Sequence, residues 1–358
     1  MTSAFGRAFA LGVEEELIVV DPATRALSHT GTDVLAAMEV PEGTGSAHPD
    51  TYAALVEFAS PVSATPEDGV RAIAALRSRA LATGAAMIGA GIHPDGAFGD
   101  VVHVDEPRYH EIHAQLRGLL RRTPTCALHV HVGMPDAETA IHAYNGLREW
   151  LPLLQALAGN SPFWHGVDSG LATARAQLFR GYPRSDIPSA FASFEHFEET
   201  VAAVVAAGDA PDYTFLWWDI RPHPRLGTVE VRAMDAQSSL RTVHGLVALI
   251  HGLARAAAEA PVPAGGWSPR EALEESSFRA ARDGIAATLR HDGALRPVPE
   301  IASAAIARAG DDPALEEITR ILRDGAGADR QRAAYARGGM DAVLALLARE
   351  TAEINAYT

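Results

Sequence analysis

Polar and apolar positions alternate in several short stretches of the chain, a pattern that predicts strands with two unlike faces. The first covers residues 11–20. Residues 55–59, 87–92, 127–132, 214–220 and 228–233 follow, each rich in β-branched and apolar side chains. Helices are predicted between them. Pro66-Glu67-Asp68 opens one that runs to about residue 84, with acidic residues in the first turn, where the helix dipole favours them. Residues 137–157 predict a helix that Pro152 kinks or divides. Residues 194–207 and 240–260 predict two more. From Ser268 onward the pattern is almost wholly helical, punctuated by Gly310, Gly325, Gly327 and Gly338-Gly339, with Asp341 as a cap for the last helix.

Strands come singly or in pairs between helices, without strict β-α-β alternation. This favours an α+β domain with an antiparallel sheet over a doubly wound fold. No composition shift divides the chain, so residues 1–358 are read as one domain.

Composition removes whole classes of function. A formal charge of −15 argues against nucleic-acid binding and against docking on anionic membranes, since both want a basic face. The chain contains no lysine, so all thirty Lys-plus-Arg positions are arginine. Schiff-base chemistry on lysine and the lysine of a P-loop are therefore excluded. If phosphates are handled, arginine and metal ions handle them. Cys126 is the single cysteine, which excludes an intrachain disulfide and a multi-cysteine zinc site; it reads as a small buried residue beside a strand. No apolar run is long enough to span a bilayer, and the first seven residues lack the features of a secretory signal, so a cytoplasmic location is expected.

Four segments concentrate candidate chemistry. In Gly12-Val13-Glu14-Glu15-Glu16, strand periodicity puts Glu14 and Glu16 on one face and Glu15 on the other. Two carboxylates on one face fit a solvated edge strand as well as a cation site. Asp50 and Glu57 form a second acidic pair, with Glu57 inside an apolar strand where a carboxylate needs a partner, either a cation or an arginine. His129-Val130-His131 again places two side chains together, suited to metal or phosphate. Glu230 and Arg232 share a face of the 228–233 strand, while Arg221 ends the preceding strand and Arg175 follows Asn160-Ser161-Pro162-Phe163-Trp164. An ordinary ion pair of Glu230 with Arg232 or Arg221 is the alternative there. Several carboxylates, a histidine and arginines suit Mg²⁺ carrying nucleotide phosphates better than structural zinc.

Taken in order, these segments resemble the glutamate–cysteine ligase type 2, or carboxylate–amine ligase, family, relatives of glutamine synthetase. The matching pieces are residues 12–16, 56–62, 91–94, 129–133, 160–164, 217–222, 227–232 and 328–332. The resemblance implies a curved antiparallel β-sheet with helices on its outer face, glutamine synthetase/guanido kinase-like, and a site on the concave face. It implies ATP and Mg²⁺ as cofactors, activation of a carboxylate as an acyl phosphate, and attack by an amine to form an amide. By motif, Glu14, Glu16, Glu57 and Glu230 would bind metal, with Asp50 as a further ligand. His131 would touch metal or phosphate, and Arg175, Arg221 and Arg232 would face phosphates or the substrate carboxylate. Small-molecule acid and amine partners and a homo-oligomer are expected. Leu55, Ile92, Leu171 and Ala174 depart from the family's polar pattern, which implies substrates other than glutamate plus cysteine. Two competing readings stand beside the ligase: a metallohydrolase built on His129-x-His131, and a ligand-binding descendant without catalysis.

Overall fold

The alternation in residues 11–20 produces one ten-residue strand, β1 (Leu11–Val20), at the middle of the large sheet. The computed structural model describes residues 4–355 and Tyr357; Met1 to Ser3, part of the stretch read for a secretory signal, lie outside them. The other strands are β2 (Ser46–His48), β3 (Leu55–Ala59), β4 (Ala86–Ile88), β5 (Ala127–Gly133), β6 (Ile220–His223) and β7 (Thr228–Asp235). Every pairing among them is antiparallel, in the order β6-β7-β5-β1-β3-β2, with β4 against the end of β1. The sheet is open. A register shift between Val231 and Met234 marks a bulge, which bends the β5–β7 ladder.

Period two sorts the sheet into a helix-covered face and a chemical face. Val13, Leu17 and Val19 of β1, Phe58 of β3 and Val130 and Val132 of β5 join one apolar core. That core includes Ile73 and Leu76 of the helix Pro66–Ala82 and Leu246, Ile250 and Leu253 of the helix Leu240–Glu259. Each such side chain, fully buried, contributes roughly 1.5–3 kcal/mol. The opposite face of β1 is divided along its length. Glu14 and Glu16 occupy one half; Ile18 and Val20 occupy the other, within a second apolar cluster that holds Leu55, Ile88 and Tyr52.

Glu15 goes to the helix side, as its alternation with Glu14 and Glu16 predicts, and there it is fully buried. Arg77, from the Pro66–Ala82 helix, meets it with two parallel bonds, Nε to Oε1 at 2.6 Å and an Nη2 to Oε2 at 2.7 Å. The remaining donors reach the carbonyls of Ser238, Gln237 and Thr351. The pair thus ties β1, one helix, the segment after β7 and the last helix together. Burial of two charges is tolerable because almost every lone pair and proton is used.

Several expectations shift. Residues 87–92 yield only β4, because Gly89 lies so close to the Gln237 carbonyl that a Cβ would sit 2.2 Å from its oxygen. Residues 214–220 are not one strand: a 3₁₀ turn, Tyr213–Phe215, and a two-residue pairing, Trp217–Trp218, precede β6. The helix expected over 137–157 is divided, as Pro152 implied, into Ala137–Arg148 and Leu151–Leu157, with Pro152 in the first turn of the second. The C-terminal part is interrupted by a hairpin, Thr288–His291 with Ala294–Pro297. Its turn is Asp292-Gly293, both at positive φ, the two-residue turn that matches strand twist. A helix absent from the sequence expectations, Pro107–Leu116, lies beside the chemical face. Cys126 is buried and free. Among the described residues no helix is long and apolar enough to cross a membrane.

The Glu15–Arg77 pair yields a prediction. Arg77→Met leaves a buried carboxylate without a partner and lowers unfolding free energy by about 3–5 kcal/mol. Glu15→Met together with Arg77→Met loses less than the single change. Denaturant unfolding monitored by circular dichroism measures both; a single variant as stable as the parent contradicts the account.

Candidate active site

On the chemical face, register brings the acidic segments into one cluster. Glu16 is directly opposite Glu57, and Glu14 is directly opposite His129. His131 faces Gly12 on one side and Glu230 on the other, and Glu230 faces Arg221. The neighbouring loop before β3 supplies Asp50. Glu14, Glu16, Asp50, Glu57, Glu230, His131, Arg221 and Arg232 all line one polar cavity. Arg175 stands at its side, with Glu16, Asp50 and Arg232 shared between that cavity and an adjoining one. All nine residues expected from sequence are therefore brought together.

Glu14 sits at the junction of two sets of groups able to hold a cation. Glu14, Glu57 and His129 offer atoms within 4.8 Å of one another, and so do Glu14, His131 and Glu230. His129 Nδ1 is 3.4 Å from Glu14 Oε2, and His131 Nε2 is 3.4 Å from Glu14 Oε1 and 3.7 Å from a Glu230 oxygen. The Thr228 hydroxyl, 3.0 Å from His131 Nδ1, fixes the ring so that Nε2 faces the carboxylates. His129 Nδ1 and His131 Nε2 are both buried without a hydrogen-bond partner. Orphaned ring nitrogens aimed at carboxylates are what a divalent ion would satisfy, and the donor set, mostly oxygen, is that of a hard cation.

The cluster divides electrostatically. Burial pushes Glu230 up, but the Arg221 and Arg232 guanidiniums overcome it and hold the carboxyl well below its usual range. Burial likewise pushes Glu14 up, but His131 and the neighbouring His129 ring overcome it and hold the carboxyl well below that range. Glu57 moves the other way, well above the usual range, through burial and the charges of Glu14, Glu16 and Asp50. Glu16 is pushed up to about 8 by burial and by Asp50, although it accepts the Ala127 N–H at 2.7 Å. Asp50 is raised by burial. His129 falls to about 4, through burial and the charge of Arg232. On this acidic side the charges of Arg232, Arg175 and Arg108 offset the upward push only in part.

The three arginines differ in what they have left to offer. Arg221 gives Nε to Glu230 at 2.6 Å and an Nη to the carbonyls of Thr214 and Leu216, so its fork is occupied in holding Glu230. Arg232 pairs with Glu230 while its buried Nε is unpartnered. Arg175 has a buried, unpartnered Nε as well. Its helix, Ala174–Phe179, is capped by Thr173, whose hydroxyl donates to Asp235 at 2.8 Å. Asp235, at the end of β7, also accepts from the Asn160 N–H and the Ser161 hydroxyl. It anchors the loop that presents Arg175.

Sequence reasoning passed over Asp235, His223, Arg108 and Tyr109. His223 lies two residues beyond Arg221 on β6, a same-face spacing that was available to read. Arg108 and Tyr109 start a helix with no special spacing, and nothing local marked them. The four departures stand apart from the carboxylates. Ile92, Leu171 and Ala174 gather with Leu178 and Trp164 in a small apolar cluster, and Leu55 is in the core beside Ile18.

Sequence and fold relate the chain to known proteins. The model of glutamate–cysteine ligase family 2 matches residues 10–345. A Rubrobacter xylanophilus protein provisionally named glutamate–cysteine ligase 2-3 is 40% identical over 372 residues, covering 98% of this chain and 100% of its own length. The glutamate–cysteine ligase of Haloferax volcanii is 36% identical over 288 residues, 78% of this chain and 80% of that protein. Among solved structures, the glutamate–cysteine ligase of Francisella tularensis, in complex with AMP, is similar with a TM-score of 0.74 at 12% identity, over 99% of this chain and 90% of that one. A bifunctional glutathione synthetase from Pasteurella multocida gives 0.68 at 15% identity, over 96% of this chain and 52% of that one. At such identities the structural likeness is one of fold, and it is the open antiparallel sheet with helices on one face. The sequence match to residues 10–345 and the relatives above 30% identity make the chain a member of glutamate–cysteine ligase family 2, a carboxylate–amine ligase.

Proposed function

We propose that the chain joins a carboxylic acid to an amine at the expense of ATP, with Mg²⁺, through an acyl phosphate. The observation that carries this reading is Glu14, shared by two cation-capable sets beside two arginines with unpartnered N–H groups. Glu14, Glu57 and His129, and Glu14, His131 and Glu230, would hold Mg²⁺, with Glu16 and Asp50 close by. The ions supply charge neutralisation for nucleotide phosphates. Arg175 and Arg232 present N–H donors to the transferring phosphoryl group or the substrate carboxylate. Arg221 holds Glu230 in place. In the chemistry, a carboxylate oxygen attacks the terminal phosphorus and ADP leaves. The amine nitrogen then attacks the acyl carbon, the bond to the phosphate oxygen breaks with its electron pair, and the amine gives up a proton. The AMP bound by the Francisella relative supports a nucleotide partner here. Each cation set contains one histidine and two carboxylates, which favours Mg²⁺ over the zinc of a His-x-His hydrolase.

Two tests follow. Glu230→Gln and Glu14→Gln each lower kcat/KM for acid- and amine-dependent ADP release by roughly 100-fold or more. Turnover equal to the parent, with the fold intact by circular dichroism, contradicts the site. The second concerns pH. Glu16 titrates near 8 when folded, far above the usual carboxylate value. Its protonated form therefore stabilises the fold fully at low pH, and that contribution fades as pH rises through about 8. Cation binding needs ionised carboxylates, so Mg²⁺ raises the melting temperature more at about pH 9 than at about pH 6. Equal shifts at both, or none, contradict a carboxylate cation site.

A further inference from the structure

Next to the polar cavity lies a second one, in which leucines, an isoleucine and aromatic rings face Glu16, Asp50, His129, Arg175 and Arg232. Its free interior volume is about 100 Å³, room for one side chain rather than for a whole substrate. Tyr52, Ile112, Leu116, Leu120, Tyr182 and Trp217 line it, with the Phe179 ring at one side. The two tyrosine hydroxyls are already engaged. The Tyr52 hydroxyl donates to the Leu120 carbonyl at 3.1 Å and lies 3.5 Å from the Tyr182 hydroxyl. Two cations stack on the rings of this wall, and each is held by hydrogen bonds from Nε and Nη2. Arg122, 5.3 Å from the Tyr182 ring, bonds to the Leu178 and Leu119 carbonyls; Arg184, 5.1 Å from the Trp217 ring, bonds to Phe215 and Gln115.

Charge enters this cavity at one end, where Glu16, Asp50, Arg175 and Arg232 meet it. Arg175 is 5% exposed, its guanidinium lies 5.4 Å from the Phe179 ring, and its Nε has no partner. A ligand seated here would set a carboxylate against Arg175 and an apolar group among leucines and rings. Away from that end, a charged side chain would have to leave water for lining residues that carry no charge, Ile112, Leu116, Leu120, Tyr182 and Trp217, which is costly.

We propose that this pocket receives the branched aliphatic or aromatic side chain of an α-amino acid, whose carboxylate meets Arg175, as one of the two substrates. The proposal rests on the ATP-dependent ligase reading, of which it names the substrate class. Neither a glutamate side chain nor a cysteine side chain complements the wall: one brings charge to lining residues that carry none, the other leaves most of the leucine and ring surface uncovered.

The test pairs each amino acid with a panel of carboxylic acids and amines, with ATP and Mg²⁺ present, and follows ADP release. The mass of the product tells which end was joined. Leucine, isoleucine or phenylalanine should exceed alanine, glutamate and cysteine in kcat/KM by roughly tenfold or more, the discrimination that apolar pockets give. Leu116→Trp, which fills the pocket, should reduce the advantage of phenylalanine over alanine by a similar factor. Leu120→Ala should move the optimum toward the larger side chains, and it serves if the tryptophan variant does not fold. Calorimetric titration of the same amino acids into the full chain gives a ranking that needs no turnover. Glutamate or cysteine ranking above the apolar amino acids overturns the proposal and leaves the ligase reading standing. No ADP release with any pair overturns that reading, and calorimetry then decides the pocket: apolar amino acids binding first supports it, while no binding or a polar preference overturns it.

Discussion

The charge imbalance on the open face of the sheet governs the rest of the structure. Five carboxylates, Glu14, Glu16, Asp50, Glu57 and Glu230, line one cavity. Two unit charges 4 Å apart interact by about 4 kcal/mol at an effective dielectric of about 20, so such a group cannot be fully ionised without compensation. The protein compensates two of the five. Arg221, Arg232 and His131 keep Glu230 and Glu14 ionised, while Glu16, Glu57 and Asp50 are driven toward their neutral forms. A site left in this condition favours a cation more strongly than one whose acids are all paired.

The same strand shows what a fully compensated charge looks like. Glu15, between Glu14 and Glu16, passes to the other face and meets Arg77 in a buried bidentate pair whose donors are used on carboxylate and carbonyls. On the chemical face, Arg175 Nε, Arg232 Nε and His131 Nε2 are buried and unpartnered. One backbone thus separates a closed ion pair, which holds helices to the sheet, from an open one with capacity for ligands. Asp235 belongs to both roles: it fixes the loop carrying Arg175 while lying at the end of the strand carrying Glu230.

Most of the face was legible in the sequence because a strand's period is two and its alternation survives folding. Glu14 with Glu16, His129 with His131, and Glu230 with Arg232 were each placed together by spacing alone. What spacing could not supply was the pairing between strands: that Glu16 meets Glu57, or that Arg221 is taken up by Glu230, depends on register set at a distance. The fate of Glu15 was half legible. Its direction followed from periodicity, but Arg77 lies 62 residues away on a helix face that reads as ordinary. Two local signals were present and unread, the Asp292-Gly293 turn and the same-face spacing of His223 with Arg221. The short strand β4 was over-extended because the close approach of Gly89 to Gln237 is a tertiary contact.

The central claim is that Glu14 is shared between two cation sites on this face. Crystals of the full chain grown with Mn²⁺ and a non-hydrolysable ATP analogue, measured at the manganese absorption edge, test it most directly. The account predicts anomalous peaks on both sides of Glu14, one against Glu57 and His129 and one against His131 and Glu230, each reaching toward phosphate oxygens. Manganese bound elsewhere, with the Glu14 carboxylate bare beside an ordered nucleotide, would contradict it.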